Sequence, residues 1–150
     1  MRIAFDIDNT LIPQGRDFPA YISVPWPLRV WWREPLRDGA VPLLRDLQRA
    51  GHDVWLYTTS GRGESYLRAW FWALGIRLGG VVNWHRHEAL RRANHCPNCS
   101  KYPPAFQIDL LVDDSDGVAL EGRQYGFAVL LVDPADADWT TRVRTAAGLR

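Results

Sequence analysis

The sequence predicts an α/β protein in which a parallel sheet carries helices on its faces. Two observations lead there. Apolar runs of strand length alternate along the chain with segments of helical period. The chain has 150 residues, 47% of them apolar and 23% charged, and a domain of that size buries roughly 68–70% of the surface its unfolded chain exposes. One compact core over residues 1–150 is therefore expected, and disorder is excluded as the main state.

Each element follows from its local pattern. Ile3-Ala4-Phe5 runs into Asp6 and reads as the first strand. Pro42–Ala50 has apolar side chains at 43, 44 and 47, proline in its first turn and Gly51 in the helix-ending position, which makes a short helix. Val54-Trp55-Leu56-Tyr57 is the second strand. Glu64–Leu74 is a helix burying one face, with apolar residues at 66, 67, 70, 71 and 74 before Gly75. Gly80–Trp84, Ile108–Val112 and Phe127–Val132 read as the third, fourth and fifth strands, and Asp136–Ala147 as a closing helix.

Two stretches break the alternation. Residues 13–37 hold five of the ten prolines with Phe18, Tyr21, Trp26, Trp31 and Trp32, and proline at that density prevents a long regular element. This stretch is expected to be an irregular flap. Residues 85–104 hold three of the four histidines and both cysteines, and read as an inserted loop.

Charge and targeting signals narrow the function classes. Eighteen basic side chains against seventeen acidic ones give a formal charge of +1, so the overall field offers polyanions no attraction and any nucleic-acid contact must be a local patch. Seventeen of the basic residues are Arg and one is Lys, at 101. The longest uncharged apolar run, Ala69–Ile76, falls far short of the roughly 18 residues a membrane-spanning helix needs. The amino terminus enters an apolar segment directly, without a leader pattern, so a cytoplasmic location is expected. There Cys96 and Cys99 are not expected to form a disulfide.

The chemistry-bearing residues gather at strand ends. Asp6 and Asp8 lie two apart where the first strand stops, which puts both on one side of the sheet's carboxyl edge, the rim where open parallel sheets hold ligands. A carboxylate ionised at neutral pH can attack phosphorus without a base, and a second one can protonate the leaving oxygen and then activate water. Cancelling the repulsion between nucleophile and phosphate calls for a divalent cation. The second strand ends in Thr58-Thr59-Ser60-Gly61, where a hydroxyl and free amides ahead of a helix suit a phosphate. Thr58 directly follows the apolar run, while Thr59 and Ser60 compete for its role. The fourth strand ends in Asp113-Asp114-Ser115-Asp116, acids able to hold a hard cation with Asp6. Lys101 lies between the third and fourth strands and can offset phosphoryl charge.

In this order, Asp6-Ile7-Asp8-Asn9-Thr10-Leu11, an apolar strand ending at Thr58, Lys101, and Leu110-Leu111-Val112-Asp113-Asp114 resemble the four motifs of the haloacid dehalogenase superfamily. The resemblance covers residues 3 to 132. It implies a Rossmann-like three-layer sandwich with a five-stranded, mainly parallel sheet in the order 5-4-1-2-3, and phosphomonoester hydrolysis through an aspartyl-phosphate. Asp6 then matches the nucleophile, Asp8 the general acid/base, and Thr58 and Lys101 the phosphoryl holders. Thr59, Ser60 and Asn9 are candidate substrate-binding residues. Asp6, Asp8, Asp114 and Asp113 are candidate magnesium ligands, with Asp113 taking the place of Asp114 if the alignment is off by one. Because the second acid is present, phosphatase chemistry is favoured over dehalogenation. A receiver domain also joins an acid pair and a lysine on an α/β fold, but there the lysine follows the last acidic motif.

His85-x-His87 followed by Cys96-x-x-Cys99 places four zinc-type ligands within fifteen residues. The placement is similar to the zinc loop of the histidinol-phosphate and heptose-bisphosphate phosphatases, with HxH in place of CxH and CxxC in place of CxC. His95 is a substitute for either histidine. Such a zinc would be structural; the competing reading is a plain loop with reduced thiols.

The forty-seven residues between Thr10 and Thr58 include a core helix, leaving too little for a cap domain. Capless members of the superfamily act on macromolecules or have their sites completed by a partner subunit. The resemblance thus implies a phosphorylated substrate (metabolite, phosphoprotein or nucleic-acid end) and a second copy of the chain as a candidate partner, while the short apolar runs lead to the expectation of no membrane. Tyr21, Trp26, Trp31 and Trp32 with Arg29, Arg33 and Arg37 either bind such a substrate or pack the flap onto the core. The rival function is a catalytically silent module that binds a phosphorylated ligand or partner at the same site.

Overall fold

The structure, a computed structural model, describes residues 1–149. Its centre is a five-stranded sheet of β1 (Arg2–Phe5), β4 (Asp53–Tyr57), β5 (Gly80–Val82), β6 (Leu110–Asp113) and β7 (Val129–Leu131). The order across the sheet is β5-β4-β1-β6-β7, and every neighbouring pair is parallel. This numbering differs from the expected 5-4-1-2-3 because the flap adds two short strands, β2 (Ala20–Tyr21) and β3 (Leu36–Arg37), paired antiparallel as a separate ribbon. The five segments assigned to the sheet from sequence lie across it as third, second, first, fourth and fifth.

Alternation along the strands builds a core on each face of the sheet. Ile3, Phe5, Val54, Leu56, Leu110 and Val112 point to one side. There they meet α1 (Ala40–Arg49), α2 (Glu64–Ala73) and α5 (Trp139–Ala146), through residues such as Leu43, Leu47, Trp70, Phe71 and Val143. Ala4, Trp55, Tyr57, Val82 and Leu111 point to the other side, against Ile108 and Val118. Gly80 is what lets Trp55 lie flat there, since a Cβ on Gly80 would stand 2.3 Å from the indole ring.

Two helices go beyond the sequence reading. The supposed loop at 85–104 opens with α3 (Trp84–Arg92), capped by Asn83, whose side chain accepts from the Arg86 amide at 3.1 Å. Between β6 and β7 lies α4 (Asp116–Tyr125), capped by Ser115 and closed by Gly126 with φ at +75°. Among the described residues no helix is long and apolar enough to cross a membrane.

The flap has little regular structure, as its prolines require: the ribbon and one 3₁₀ turn, Leu28–Val30. Of the flap's aromatic and basic residues for which binding and packing were both open, two turn inward. Trp32 packs against the core. Arg37 is buried between the rings of Phe18 and Trp139, at 4.7 and 4.8 Å. Its guanidinium donates to the carbonyls of Asp133, Pro134 and Asp136 at 2.9–3.0 Å. Arg37 thus ties the flap's end to the loop ahead of α5 and is removed from any binding face.

Candidate active site

The carboxyl edge of the sheet brings together the ends of its three central strands. Asp6 follows β1 and donates its amide to the Val112 carbonyl at 2.9 Å. Asp113 ends β6, and Thr58 follows β4. Carboxylate oxygens of Asp6, Asp113 and Asp114 all lie within 4.8 Å of one another, the one group of three metal-capable side chains among the described residues. Thr10, in the turn after Asp8, supports Asp114 through a hydroxyl contact of 3.3 Å.

Lys101 enters this cluster from the loop before β6. Its ammonium donates to Asp6 Oδ1 at 2.5 Å and Asp113 Oδ2 at 2.6 Å, with the residue 3% exposed. Burial alone would pull the lysine down, but the two carboxylates outweigh it and hold the ammonium charged. For Asp6 burial prevails, pushing its carboxyl up to about 7 against the pull of Lys101, with Asp113 adding a push of its own. Asp114 is raised as well, by burial and then by Asp113.

Asp8 is not in the three-carboxylate set. Its side chain turns to Arg62, 2.9 Å away, and the same guanidinium holds Glu34 of the flap at 3.0 Å. Asp8, expected among the cation ligands, has a fixed arginine as its side-chain partner here. Sequence reading missed Arg62 and Glu34, although Arg62 directly follows the Thr58–Gly61 phosphate motif.

Thr58 is buried at the strand end, where its hydroxyl accepts from the Ser60 amide at 3.1 Å and donates to the Ser60 hydroxyl at the same distance. Thr59 is exposed and Ser60 half-buried on the same turn. Asn9, a candidate substrate-binding residue, also shapes the backbone here. With φ at +62° it turns the chain after Asp8, and its side-chain oxygen accepts from the Gln14 amide at 2.9 Å.

The His/Cys set does not converge. His85 and His87 both lie on α3, where residues two apart point to different sides. His85 is exposed beside Trp84, and His87 is buried with both ring nitrogens engaged. Neither His85, His87, Cys96, Cys99 nor His95 belongs to a group of three clustered donors. Burial, with Glu121 and Cys96, pushes the Cys99 thiol up to about 11, and burial raises Cys96 as well. As placed, these residues do not fit a tetrahedral zinc.

What His87 does instead is clamp the lysine loop. Cys99 O lies 3.0 Å from His87 Nε2 and can only accept, so Nε2 carries the ring proton. Nδ1 then accepts from the Tyr57 hydroxyl at 2.7 Å, and that hydroxyl accepts from the Tyr102 amide at 2.8 Å. Burial lowers His87, consistent with the neutral ring. Glu121 of α4 accepts from both the amide and the hydroxyl of Ser100 at 2.9 Å. The residues on both sides of Lys101 are thus pinned to β4, α3 and α4. Tyr57→Phe leaves the Tyr102 amide and His87 Nδ1 without partners, which costs about 1–3 kcal/mol. Thermal unfolding is expected to drop by roughly 2–4 °C per kcal/mol lost, and an unchanged midpoint would show that the clamp carries no load.

No protein-family model matches this chain, and no curated protein matches it. Among solved structures, a chain described as "Structure of Pnkp1/Rnl/Hen1 complex" is similar, with a TM-score of 0.53 and 17% identity over 90% of this chain and 46% of that one. This chain thus spans under half of that chain's length, and at such identity the likeness shows the fold alone.

Proposed function

We propose that the protein is a magnesium-dependent phosphatase that hydrolyses a phosphomonoester through an aspartyl-phosphate on Asp6. The observation that supports this most is the cluster of Asp6, Asp113 and Asp114 around one buried ammonium at the carboxyl edge of a parallel sheet. Phosphoryl transfer needs few groups beyond a placed nucleophile and positive charge around the phosphate. The similarity to a chain of the Pnkp1/Rnl/Hen1 complex agrees with this reading at the level of fold.

The three carboxylates form an all-oxygen set that fits a hard cation. Magnesium held there supplies the charge neutralisation that lets an anionic carboxylate approach an anionic phosphate. Lys101 and the Thr58 hydroxyl hold phosphoryl oxygens. In the first half, an Asp6 oxygen bonds to phosphorus as the bond to the leaving oxygen breaks, and Asp8, protonated for this step, gives that oxygen its proton. In the second, Asp8 takes a proton from water, the water oxygen bonds to phosphorus, and the Asp6–phosphorus bond breaks to release phosphate. Arg62 fixes the direction in which the Asp8 carboxylate points.

The ion pair between Asp8 and Arg62 also suits the rival reading, a silent module in which Asp8 never exchanges a proton. Release of nitrophenol from para-nitrophenyl phosphate decides between them. Hydrolysis is expected with magnesium and is expected to fall by at least about 100-fold in excess chelator. Hydrolysis that persists in chelator would overturn the magnesium mechanism, and none under any condition would leave the silent module.

A further inference from the structure

We propose that the flap is a platform for single-stranded nucleic acid, so that the phosphomonoester taken at Asp6 is the terminal phosphate of such a strand. The proposal rests on the phosphatase reading for its chemistry and on the flap for its substrate. Tyr21, Trp26 and Trp31 are 61%, 77% and 65% exposed. Packing the flap onto the core does not need them, because Trp32 and the Phe18–Arg37–Trp139 stack already do that. Three large rings left open within eleven residues mark a surface that something else covers.

Charge identifies the occupant. Residues 13–37 carry four arginines and two acids, in a chain whose formal charge is +1. One of the acids, Glu34, is matched by Arg62 at 3.0 Å. Arg16, Arg29 and Arg33 are exposed, and none forms an ion pair among the described residues. Arg29 is steadied by donating to the Val24 carbonyl at 3.0 Å. Rings interleaved with free guanidinium groups match a polymer that alternates stackable bases with phosphates. A phosphopeptide offers the charge without the bases, and a second copy of the chain would set these arginines against themselves.

The flap also reaches the site. Glu34, three residues beyond Trp31, bonds through Arg62 to the Asp8 side chain. Exposed Tyr66, in the first turn of α2, stands close enough to feel the charges of both Glu34 and Arg62. Glu34 and Arg62 thus join the flap to the Asp8 side chain, the link through which a strand lying on the flap would reach the site.

Two measurements test this. Fluorescence anisotropy with the Asp6→Asn chain compares a labelled single-stranded DNA decamer bearing a 3′-phosphate, the same decamer with a 5′-phosphate, and a phosphoserine peptide. At least one decamer is expected to bind more tightly than the peptide, with affinity falling steeply as salt rises. Trp26→Ala and Trp31→Ala are each expected to weaken decamer binding about ten-fold, and Arg33→Glu to weaken it and flatten its salt dependence. In wild-type background the tryptophan variants should lower kcat/KM for the phosphorylated decamer relative to para-nitrophenyl phosphate by a similar factor. Peptide binding equal to or tighter than decamer binding overturns the proposal. So do tryptophan variants that bind the decamer like the parent, and so does a wild-type dimer that these variants dissolve. If aryl phosphate is hydrolysed and the decamers are not bound, the platform fails alone. If the decamers bind and nothing is hydrolysed, the catalytic reading fails alone.

Discussion

Asp6→Asn is expected to reduce hydrolysis of an aryl phosphate by at least about 10³-fold, because an amide is a poor nucleophile and a weaker ligand for a hard cation. The same change is expected to leave the fold at least as stable in magnesium-free buffer. Burial pushes the Asp6 carboxyl to about 7, whereas in the unfolded chain it ionises near 3.8. The folded protein thus binds this proton more tightly, so the stability Asp6 contributes is fully present below about pH 4 and is lost as pH rises through 7. The asparagine variant loses none of it. Its unfolding midpoint should therefore pull ahead of the wild type between pH 4 and pH 7 and keep a constant lead above that. An asparagine variant that turns over at the wild-type rate would exclude the aspartyl-phosphate. A variant that unfolds below wild type at pH 8 would show that the carboxylate is better solvated than its burial implies.

Lys101→Met should be the most destabilising single change in the site. Among the described residues the ammonium is the only cation paired with both Asp6 and Asp113, and removing it leaves two buried carboxylates facing each other. Breaking a buried ion pair in this way costs about 3–5 kcal/mol, or roughly 10 °C in unfolding midpoint for a chain of this length. Adding Asp6→Asn removes one of the two stranded charges, so the double variant should recover part of the loss. Calorimetry on the four proteins of this cycle yields the coupling directly. Strictly additive effects, or a Lys101→Met midpoint equal to wild type, would mean that the ammonium does not bridge the two acids.

Much of this site was legible because its residues are placed by main-chain topology. Asp6, Thr58 and Asp113 each follow an apolar run, and parallel pairing brings the ends of those runs to one edge whatever the intervening chain does. The residues that escaped are set by contacts between distant segments. Arg62 meets Glu34 across 28 positions and Asp8 across 54, and no local spacing announces such a pairing. The helices α3 and α4 were missed because they bury little: His87 in the first, Val118 and Gly122 in the second. An apolar period is faint when so few positions carry it, although Asn83 and Ser115 stood as visible caps. The expected zinc donors stand apart in this structure for a related reason. His-x-His aims two rings alike on an extended chain, and once residues 84–92 are helical the two histidines diverge.

The lysine that closes the site has a further consequence for the chain's surface chemistry. With seventeen arginines and Lys101 as the only lysine, itself sealed between two acids, the described surface presents no side-chain primary amine. Acylating dyes and amine-directed cross-linkers find no side chain to react with on the described surface, where the α-amino group of Met1 is the one exposed amine, and enzymes that acetylate or ubiquitinate lysine side chains find no accessible target, whereas its guanidinium groups remain open to dicarbonyl reagents. Reactivity of Lys101 toward an acylating reagent thus reports opening of the site itself, a built-in gauge of local unfolding that needs no added probe.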